Sequence, residues 1–286
     1  MSTFGLVVHE EREQAAELAR EAIDWLTTRG HEVRLTLLDA ARIDRSELGV
    51  APEEFAAGLD VVVSVGGDGT ILRTVDLVAA HDVPLIGINV GQLGYLTEVD
   101  PQDWQHAFER WLDGRTGLDE RMLLAVQVEP ADGEPVTVRT MALNEAVLEK
   151  TPMGHTVRME VYLDDHFFTT YAADGLIVAT PTGSTAYSFS ARGPIVAPRH
   201  RALLLTPVSP HMLFDRTLVL DPTTRIRLRV RSHRRAILSV DGRNRAELNE
   251  GDSVVCSAAD HSARFVTYGD RDFHQIVKAK FGLEDR

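Results

Sequence analysis

The feature that most constrains the fold is the stretch of residues 60–73, where an apolar run leads into glycines and then into a helical pattern. Residues 60–65 (DVVVSV) are continuous and β-branched, which is typical of a parallel strand covered on both faces. Glycines at 66, 67 and 69 let the backbone bend and approach a ligand closely. A strand that passes through such a bend into a helix predicts a βα unit.

The first 119 residues repeat this alternation of strands and helices. Apolar runs predict strands at 4–8, 33–38, 60–65 and 84–90. Apolar residues at helical spacing predict helices over 10–28, 70–80 and 101–112, and Arg29-Gly30 ends the first of them. Alternating strands and helices of this kind indicate a doubly wound α/β domain.

After about residue 118 the pattern changes to short strands separated by turn signals. The predicted strands are 121–129, 136–149, 157–163, 166–172, 175–180, 217–220, 225–231, 236–240, 253–258 and 264–268. Helical spacing is limited to the residues after Thr185 and to 271–281. We therefore expect an α/β domain over 1–119, a β-sandwich-like domain over 120–268, and a helix over 269–286 that could complete the first domain.

Charge and cysteine content narrow the class of protein. Residues 1–119 hold 9 arginines, no lysine and 22 acids, whereas the remainder holds 21 basic and 21 acidic residues. This acidic first half argues against nucleic acid as a partner. Cys256 is the only cysteine, which excludes an internal disulfide. With no basic signal segment and no apolar run near ~20 residues, we expect a cytoplasmic protein with no membrane partner.

Three motifs could carry chemistry, and the first is Gly66-Gly67-Asp68-Gly69-Thr70. Free N–H groups at the start of the following helix, together with the helix dipole, favour an anion such as phosphate. The motif is neither a Walker loop nor GxGxxG. Asp68 would repel phosphate there unless it holds a cation or receives a proton. The alternative is a tight βα turn that is only incidentally glycine-rich.

The other two motifs lie in the second half. Residues 174–188 (DGLIVATPTGSTAYS) end a strand in a hydroxyl-rich turn, which could present donors and the Tyr187 ring to a nucleotide or be only a capped sandwich loop. Asn144-Glu145 lies within the apolar stretch ALNEAVLE. A carboxylate can accept from both hydroxyls of a vicinal diol, and an amide adds a donor. The alternative for this pair is a solvated face.

Together these motifs resemble the NAD kinase family in order and approximate spacing. The stretches GINVGQLGYLTE (87–98), TPVSPHMLFDR (206–216) and SVDGR (239–243) are also similar to that family, so the resemblance spans about residues 60–243. The long motif DGLIVATPTGSTAYSFSA (174–191) is its most specific part. GGDGT alone is less specific, because phosphofructokinases and lipid kinases carry related loops.

The resemblance implies a phosphotransferase that moves a phosphoryl group to the 2′-hydroxyl of the adenosine ribose of NAD, giving NADP. The donor would be ATP, or polyphosphate in some members, with a divalent metal such as Mg²⁺ whose protein ligands the sequence does not identify. The resemblance also implies a homo-oligomer, either dimer or tetramer. The alternatives are a lipid or sugar kinase that shares the GGDGT loop, and a catalytically idle NAD-binding regulator.

The resemblance also assigns roles to residues. Asp68 would be the catalytic proton acceptor, orienting the hydroxyl and taking its proton late. Gly66, Gly67, Gly69 and Thr70 would bind phosphate, and Arg73 could reach a phosphate. Asn144 and Glu145 would hold ribose and phosphate, Asp174 would accept from an amide or amino group, and Tyr187 would stack on adenine. The NAD-binding set is Asp68, Gly69, Arg73, Asn144, Glu145, His155, Ala172, Asp174, Thr185, Ala186, Tyr187, Ser188, Phe189, Ser190 and Arg243.

Two departures from the family pattern and one charged strand remain. Arg192 stands where the family commonly has glycine, and Arg243 stands where many members have glutamine. Four arginines (225, 227, 229 and 231) alternate with apolar residues, which puts them on one face of a strand. That face could be solvated, could meet an acidic surface of another subunit, or could bind polyphosphate.

Overall fold

The computed structural model describes residues 1–92, 94–131, 133, 137–151, 156–269 and 272–283. The helices are α1 (Glu13–Thr28), α2 (Leu37–Arg42), α3 (Pro52–Phe55), α4 (Asp68–Val78), α5 (Trp104–Leu112), α6 (Tyr187–Ser190) and α7 (Phe273–Phe281). The first strands are β1 (Thr3–Val8), β2 (Glu32–Thr36), β3 (Gly49–Val50), β4 (Val61–Gly66), β5 (Leu85–Asn89), β6 (Gly117–Glu129), β7 (Val138–Ala142) and β8 (Glu145–Lys150). The remaining strands are β9 (Val157–Leu163), β10 (His166–Ala173), β11 (Gly175–Ala179), β12 (Leu203–Val208), β13 (Leu218–Leu220), β14 (Ile226–Val230), β15 (Ala236–Val240), β16 (Arg243–Leu248) and β17 (Ser253–Thr267).

The chain divides into two units, one of residues 1–120 with the chain from 263 onward, and one of residues 121–262. In the first unit a parallel sheet has the order β3-β2-β1-β4-β5, and Phe265 at the end of β17 pairs with Leu85 of β5. Every residue of β4 is buried, as a strand covered on both faces requires. The expected doubly wound α/β architecture is confirmed.

An aromatic cluster packs α1 and α5 against this sheet. The Phe108 ring of α5 contacts the rings of Phe4, Trp25 and Trp104, with ring centroids 5.3–6.1 Å apart. Phe4 and Phe108 are fully buried. The rings meet in tilted and edge-on arrangements. The apolar residues whose spacing predicted α1 and α5 are therefore the ones that form the buried face of each helix.

The strand predicted over 33–38 was wrong in its last two residues. β2 stops at Thr36, whose hydroxyl oxygen accepts the Asp39 backbone N–H at 3.2 Å and so caps α2. Leu37 and Leu38 therefore enter a helix, and they are 56% and 80% exposed. A Thr-x-x-Asp pattern signals such a helix start, and here it overrides the apolar run.

The second unit is built from antiparallel strands. One sheet has the order β13-β12-β11-β8-β15-β16, and in the other β9 pairs with β10 and β14, while β14 also pairs with the first residues of β17. Leu148 and Leu176 of the first sheet share a core with Val161 and Leu228 of the second. The expected sandwich-like second half is therefore confirmed.

Two strand predictions after residue 120 had wrong boundaries. The segment predicted over 136–149 is interrupted between β7 and β8, directly before Glu145. The segments predicted at 253–258 and 264–268 form the single strand β17. The outer face of the first sheet includes the buried side chains of Val147, Ile177 and Leu204. Ala191 and Val196 pack against this face. The chain that follows β11 thus folds back over its own strand.

Candidate functional site

The glycine-rich loop of the first unit joins β4 to α4. A Cβ atom at Gly66 would overlap the Thr70 hydroxyl oxygen and lie 2.8 Å from the Thr70 Cβ, so packing requires glycine there. At Gly67 and Gly69, by contrast, a Cβ would meet no atom within 4 Å from the rest of the described chain, outside the adjacent residues and the backbone of α4. Packing therefore does not explain the second and third glycines. Their bare backbone lies beside the N–H groups at the start of α4, where an anion binds favourably.

Asp68 is the first residue of α4, and its carboxylate is held by backbone. Oδ2 accepts the Tyr95 N–H at 2.9 Å, and Oδ1 accepts the Leu96 N–H at 3.0 Å. Each carboxylate oxygen has a second lone pair, so both can still accept from a ligand. Burial, and then the Asp68 charge, raises the pKa of the neighbouring Tyr95 phenol. The two backbone hydrogen bonds fix the direction in which the Asp68 carboxylate points. This carboxylate belongs to a glycine-rich loop of the kind that binds phosphate.

Arg73 of α4 is engaged with protein groups rather than open to solvent. Its guanidinium donates to the carbonyl oxygen of Val8 and to Oδ1 of Asp39, the latter at 2.8 Å, and lies 3.4 Å from Glu10. Asp39 is 1% exposed and also accepts from the Thr36 hydroxyl at 2.8 Å. Asp39 was not among the residues predicted from the sequence, although the Thr36-x-x-Asp39 pattern marks it. Contact of Arg73 with a phosphate stays a prediction.

In the second unit Asp241 holds the backbone around Asn144 and Glu145. Its carboxylate accepts the N–H groups of Leu143, Asn144 and Glu145 at 2.8, 2.9 and 3.1 Å. From the other side, the Thr180 hydroxyl donates to the Leu143 carbonyl at 2.5 Å, and the Thr180 N–H donates to the Asn144 carbonyl at 2.9 Å. Two segments that are distant in sequence, at Asp241 and Thr180, thereby fix the start of β8.

Glu145 is a buried carboxyl with one oxygen unused. The residue is 7% exposed, and its Oε2 has no hydrogen-bond partner within the described residues. Burial, and then the neighbouring Asp241 charge, raises the pKa of Glu145 to about 8, against an opposing hydrogen bond from the Tyr187 N–H. Buried polar atoms in proteins normally have a partner, so Oε2 is a candidate acceptor for a ligand hydroxyl.

Tyr187 lies near Glu145 and near Asp174, although Asp174 pairs with Lys150 at the far end of β8. Burial, and then the carboxylates of Glu149, Asp174 and Glu145, raises the pKa of the Tyr187 phenol. One Asp174 oxygen pairs with the Lys150 ammonium at 2.8 Å. The Tyr187 side chain is 39% exposed, which leaves ring surface available for stacking. The structure thus places two predicted site residues, Glu145 and Asp174, near Tyr187. It adds Lys150, which was not among the residues predicted from the sequence.

The other predicted NAD contacts have mixed surroundings. Ser188 is fully buried, and its hydroxyl shares a hydrogen bond of 2.9 Å with Thr206, so this side chain faces the interior. Thr185 donates to the Thr182 carbonyl at 3.3 Å. Ala186 precedes α6, Phe189 and Ser190 lie in it with exposed side chains, Ala172 lies half-buried in β10, and the exposed Arg243 begins β16. His155 lies outside the described residues. These contacts stay predictions.

Arg192 occupies a backbone conformation that favours glycine. Its φ is +68°, in the left-handed region, and its N–H donates to the Phe189 carbonyl at 2.9 Å. The side chain is exposed. The departure from the family's usual glycine therefore introduces backbone strain at the end of the segment that covers β11.

Carboxylates of the same unit pair with most of the arginine face on β14. Arg225 and Arg227 both contact Glu129, at 3.1 and 2.5 Å, and both contact Asp165, at 2.8 and 3.3 Å. Arg231 pairs with Glu160 at 3.0 Å. The expected alternation along the strand is present, but these pairs already balance much of its positive charge.

Neither a metal cluster nor a membrane-crossing helix is found in the described parts of the chain. No group of three or more His, Cys, Asp or Glu side chains there could hold a metal ion. No helix in the same residues combines the length and apolar character that crossing a bilayer requires.

Comparison with known proteins finds similarity to NAD kinases over nearly the whole chain. Residues 4–116 match the family model of the ATP-NAD kinase N-terminal domain, and residues 143–268 match that of the ATP-NAD kinase C-terminal domain. The NAD kinase of Heliobacterium modesticaldum is 41% identical over 283 residues, covering 98% of each chain. NAD kinase 1 of Streptomyces coelicolor is 38% identical over 314 residues, covering 98% of this chain and 86% of that protein.

Solved structures show the same architecture. Yeast NADH kinase complexed with NADH superimposes with a TM-score of 0.92 at 26% identity, covering 100% of this chain and 89% of the yeast chain. An NAD kinase from Archaeoglobus fulgidus in complex with ATP gives a TM-score of 0.72 at 23% identity, covering 99% and 98%. The second similarity concerns the fold alone.

Proposed function

Because the chain belongs to the NAD kinase family, we infer that it is a phosphotransferase that phosphorylates NAD with ATP as donor. We propose that the accepting group is the 2′-hydroxyl of the adenosine ribose and that the product is NADP. The observation that carries the proposal is the placement of Asp68. Its carboxylate is oriented by two backbone N–H groups at the start of α4, beside the bare backbone of Gly67 and Gly69.

The proposed reaction needs one base and a phosphate cradle from the first unit. The ribose oxygen forms a bond to the γ-phosphorus of ATP, the bond from that phosphorus to the β–γ bridging oxygen breaks, and ADP leaves. Asp68 orients the hydroxyl and accepts its proton as the bond forms. Gly66, Gly67, Gly69 and Thr70 supply the backbone and hydroxyl donors for phosphate.

The dinucleotide contacts are proposed for the second unit. Glu145 offers its unpartnered Oε2 to ribose hydroxyls, with Asn144 beside it as a donor. Asp174 accepts from an amide or amino group of the nucleotide, and the exposed face of Tyr187 stacks on adenine. We propose that a divalent cation such as Mg²⁺ enters with ATP and offsets the phosphate charge. A cytoplasmic location and a homo-oligomer, dimer or tetramer, stay predictions.

The test is incubation with ATP, Mg²⁺ and either NAD or NADH, followed by an assay with an NADP-dependent dehydrogenase. We expect NADP from NAD with the wild type. Asp68→Asn should still bind NAD but lose at least about 100-fold in turnover, because the proton acceptor is removed. Asp113→Asn, an exposed carboxylate paired with Arg115, is the matched control and should keep full turnover.

Other results would identify the alternatives. Turnover on a lipid or sugar without any NADP would favour the kinases that share the GGDGT loop. NAD binding without turnover would favour an idle regulator. A fully active Asp68→Asn would remove Asp68 from the mechanism.

A further inference from the structure

We propose that Gly94 is a positioning residue for phosphoryl transfer, because the missing side chain lets the backbone of residues 95 and 96 hold the Asp68 carboxylate. This inference rests on the role proposed above for Asp68. Gly94 belongs to the stretch 87–98 that resembles the family, but the sequence alone gives this glycine no task. The contacts within the first unit provide one.

The space at Gly94 is filled by the catalytic carboxylate. A Cβ atom there would overlap Oδ1 of Asp68, and would lie 2.9 Å from its Cγ and 3.2 Å from its Oδ2. The three nearest atoms all belong to that one carboxylate. The φ of Gly94 lies outside the left-handed region, so the backbone itself accepts an alanine. The proximity of Asp68 is therefore the reason for glycine at this position.

The backbone after Gly94 cannot easily withdraw from Asp68. The next residues are tied to β5, because the N–H groups of Glu98 and Val99 donate to the Gly87 carbonyl at 3.1 and 3.0 Å. The Asn89 N–H in turn donates to the Val99 carbonyl at 2.8 Å. Leu96 is 8% exposed. A methyl group at residue 94 should therefore displace the carboxylate rather than the loop.

Displacement of the carboxylate would affect catalysis more than binding. Both N–H bonds to Asp68 are charge-assisted and directional, so they set where the proton acceptor points. A misplacement of about 1 Å in a reacting group can cost about 100-fold in rate. Alanine at residue 94 leaves every proposed contact with NAD and ATP in place except that of Asp68 with the accepting hydroxyl. We expect Gly94→Ala to lower kcat by about 10- to 100-fold and to leave both KM values within about twofold.

The kinetic test compares Gly94→Ala with Gly117→Ala in the NADP-forming assay. Gly117 is a matched control, because its Cβ would come closest to the methyl carbon of Thr267, at 3.1 Å, away from Asp68. The control should keep wild-type kcat. If Gly94→Ala is as active as the wild type, the inference is wrong while the proposed function stands. If the wild type itself makes no NADP, the proposed function fails and the catalytic part of this inference fails with it.

A thermal unfolding cycle tests the contact without using activity. Gly94→Ala should lower the Tm in the wild type, because the methyl group breaks the Asp68 hydrogen bonds. In the Asp68→Ala background the same change should have almost no effect, because the obstructing carboxylate is gone. An equal loss of Tm in both backgrounds would show that Gly94 is needed for some other reason. The double variant also keeps the test usable if Gly94→Ala alone folds poorly.

Discussion

Two buried carboxyl groups, Asp39 and Glu145, show how local surroundings decide what a residue does. Asp39 accepts from Arg73, Thr36 and the backbone, and is therefore compensated as an anion. Glu145 is almost as buried, but it faces the Asp241 charge and has an oxygen without a partner. The contacts of Asp39 hold elements together. The surroundings of Glu145 lower the stability of the folded chain when no ligand is bound, as is common for residues of binding sites.

Glu145 should make stability depend on pH in a defined direction. Its pKa is raised from 4.5 to about 8 in the folded chain, so the folded state retains a proton that the unfolded state releases between those values. The free energy of unfolding should therefore fall as pH rises from about 5 to 8, by up to about 1.4 kcal/mol per pH unit. Glu145→Gln cannot ionise and should lack this component. Urea unfolding of both proteins at pH 5, 6.5 and 8 measures the difference. Parallel pH profiles would show that Glu145 is not the group responsible.

Arg192 provides a second test at the scale of one residue. A side chain in the left-handed region costs about 1 kcal/mol more than glycine does. Arg192→Gly should therefore raise the free energy of unfolding by about 1 kcal/mol. Arg192→Ala removes the same exposed guanidinium but keeps the Cβ, so it should bring no gain. Equal effects of the two substitutions in denaturant unfolding would mean that the side chain, not the backbone strain, determines stability here.

At the scale of elements, the ion pair between Arg73 and Asp39 ties α4 to α2 and β1. The side chains of Arg73 and Asp39 are 13% and 1% exposed, and the Val8 carbonyl completes the contact. Arg73 follows Asp68 by little more than one helical turn, so the pair also anchors the helix that begins with Asp68. The pair thus links the packing of the first unit to the geometry of its glycine-rich loop.

Breaking that pair should destabilise the first unit strongly. Asp39→Asn leaves the Arg73 guanidinium with only the exposed Glu10 carboxylate as a counter-charge. Removing the buried partner of such a pair costs about 3 kcal/mol in the free energy of unfolding. Glu13→Gln is the control, because its partner Arg20 lies on the surface of α1 and such pairs contribute less than about 1 kcal/mol. Denaturant unfolding compares the two variants. Similar losses would contradict the structural role of Asp39.

Helices and strands could be predicted from the sequence where an apolar pattern extends over many residues. Contacts between segments that are distant in sequence could not be predicted. The buried run of β4 and the apolar spacing of α1 reflect layers that any α/β fold requires. The Asp241 bonds to residues 143–145 and the Asp68 bonds to residues 95–96 join segments that only folding brings together. The family resemblance named the candidate site residues, whereas the orientation of the Asp68 carboxylate and the surroundings of Glu145 follow from those long-range contacts.

At the scale of the whole molecule, the chain leaves the first unit near residue 120 and returns to it at residue 263. The returning segment is well integrated. Phe265 pairs with Leu85, and Val266 is 3% exposed in the core. The Tyr268 N–H donates to Glu98 at 2.8 Å. The helix α7 that follows has no buried residue, although Lys280 lies over the Tyr95 ring at 5.0 Å. We therefore expect the end of β17, rather than α7, to complete the first unit.

Two truncations separate these contributions. A chain that ends after Gly269 keeps Phe265, Val266 and Tyr268, so we expect cooperative unfolding with a Tm within about 3 °C of the full chain. A chain that ends after Ser262 loses the burial of Phe265 and Val266, worth about 1.5–3 kcal/mol each, together with the strand that pairs with β5. The first unit should then lose its cooperative transition, and NADP formation should disappear. Calorimetry and limited proteolysis of both chains give the comparison. If both lose the same transition, α7 contributes as much as the strand end, and the assignment of the first unit's last element to β17 is wrong.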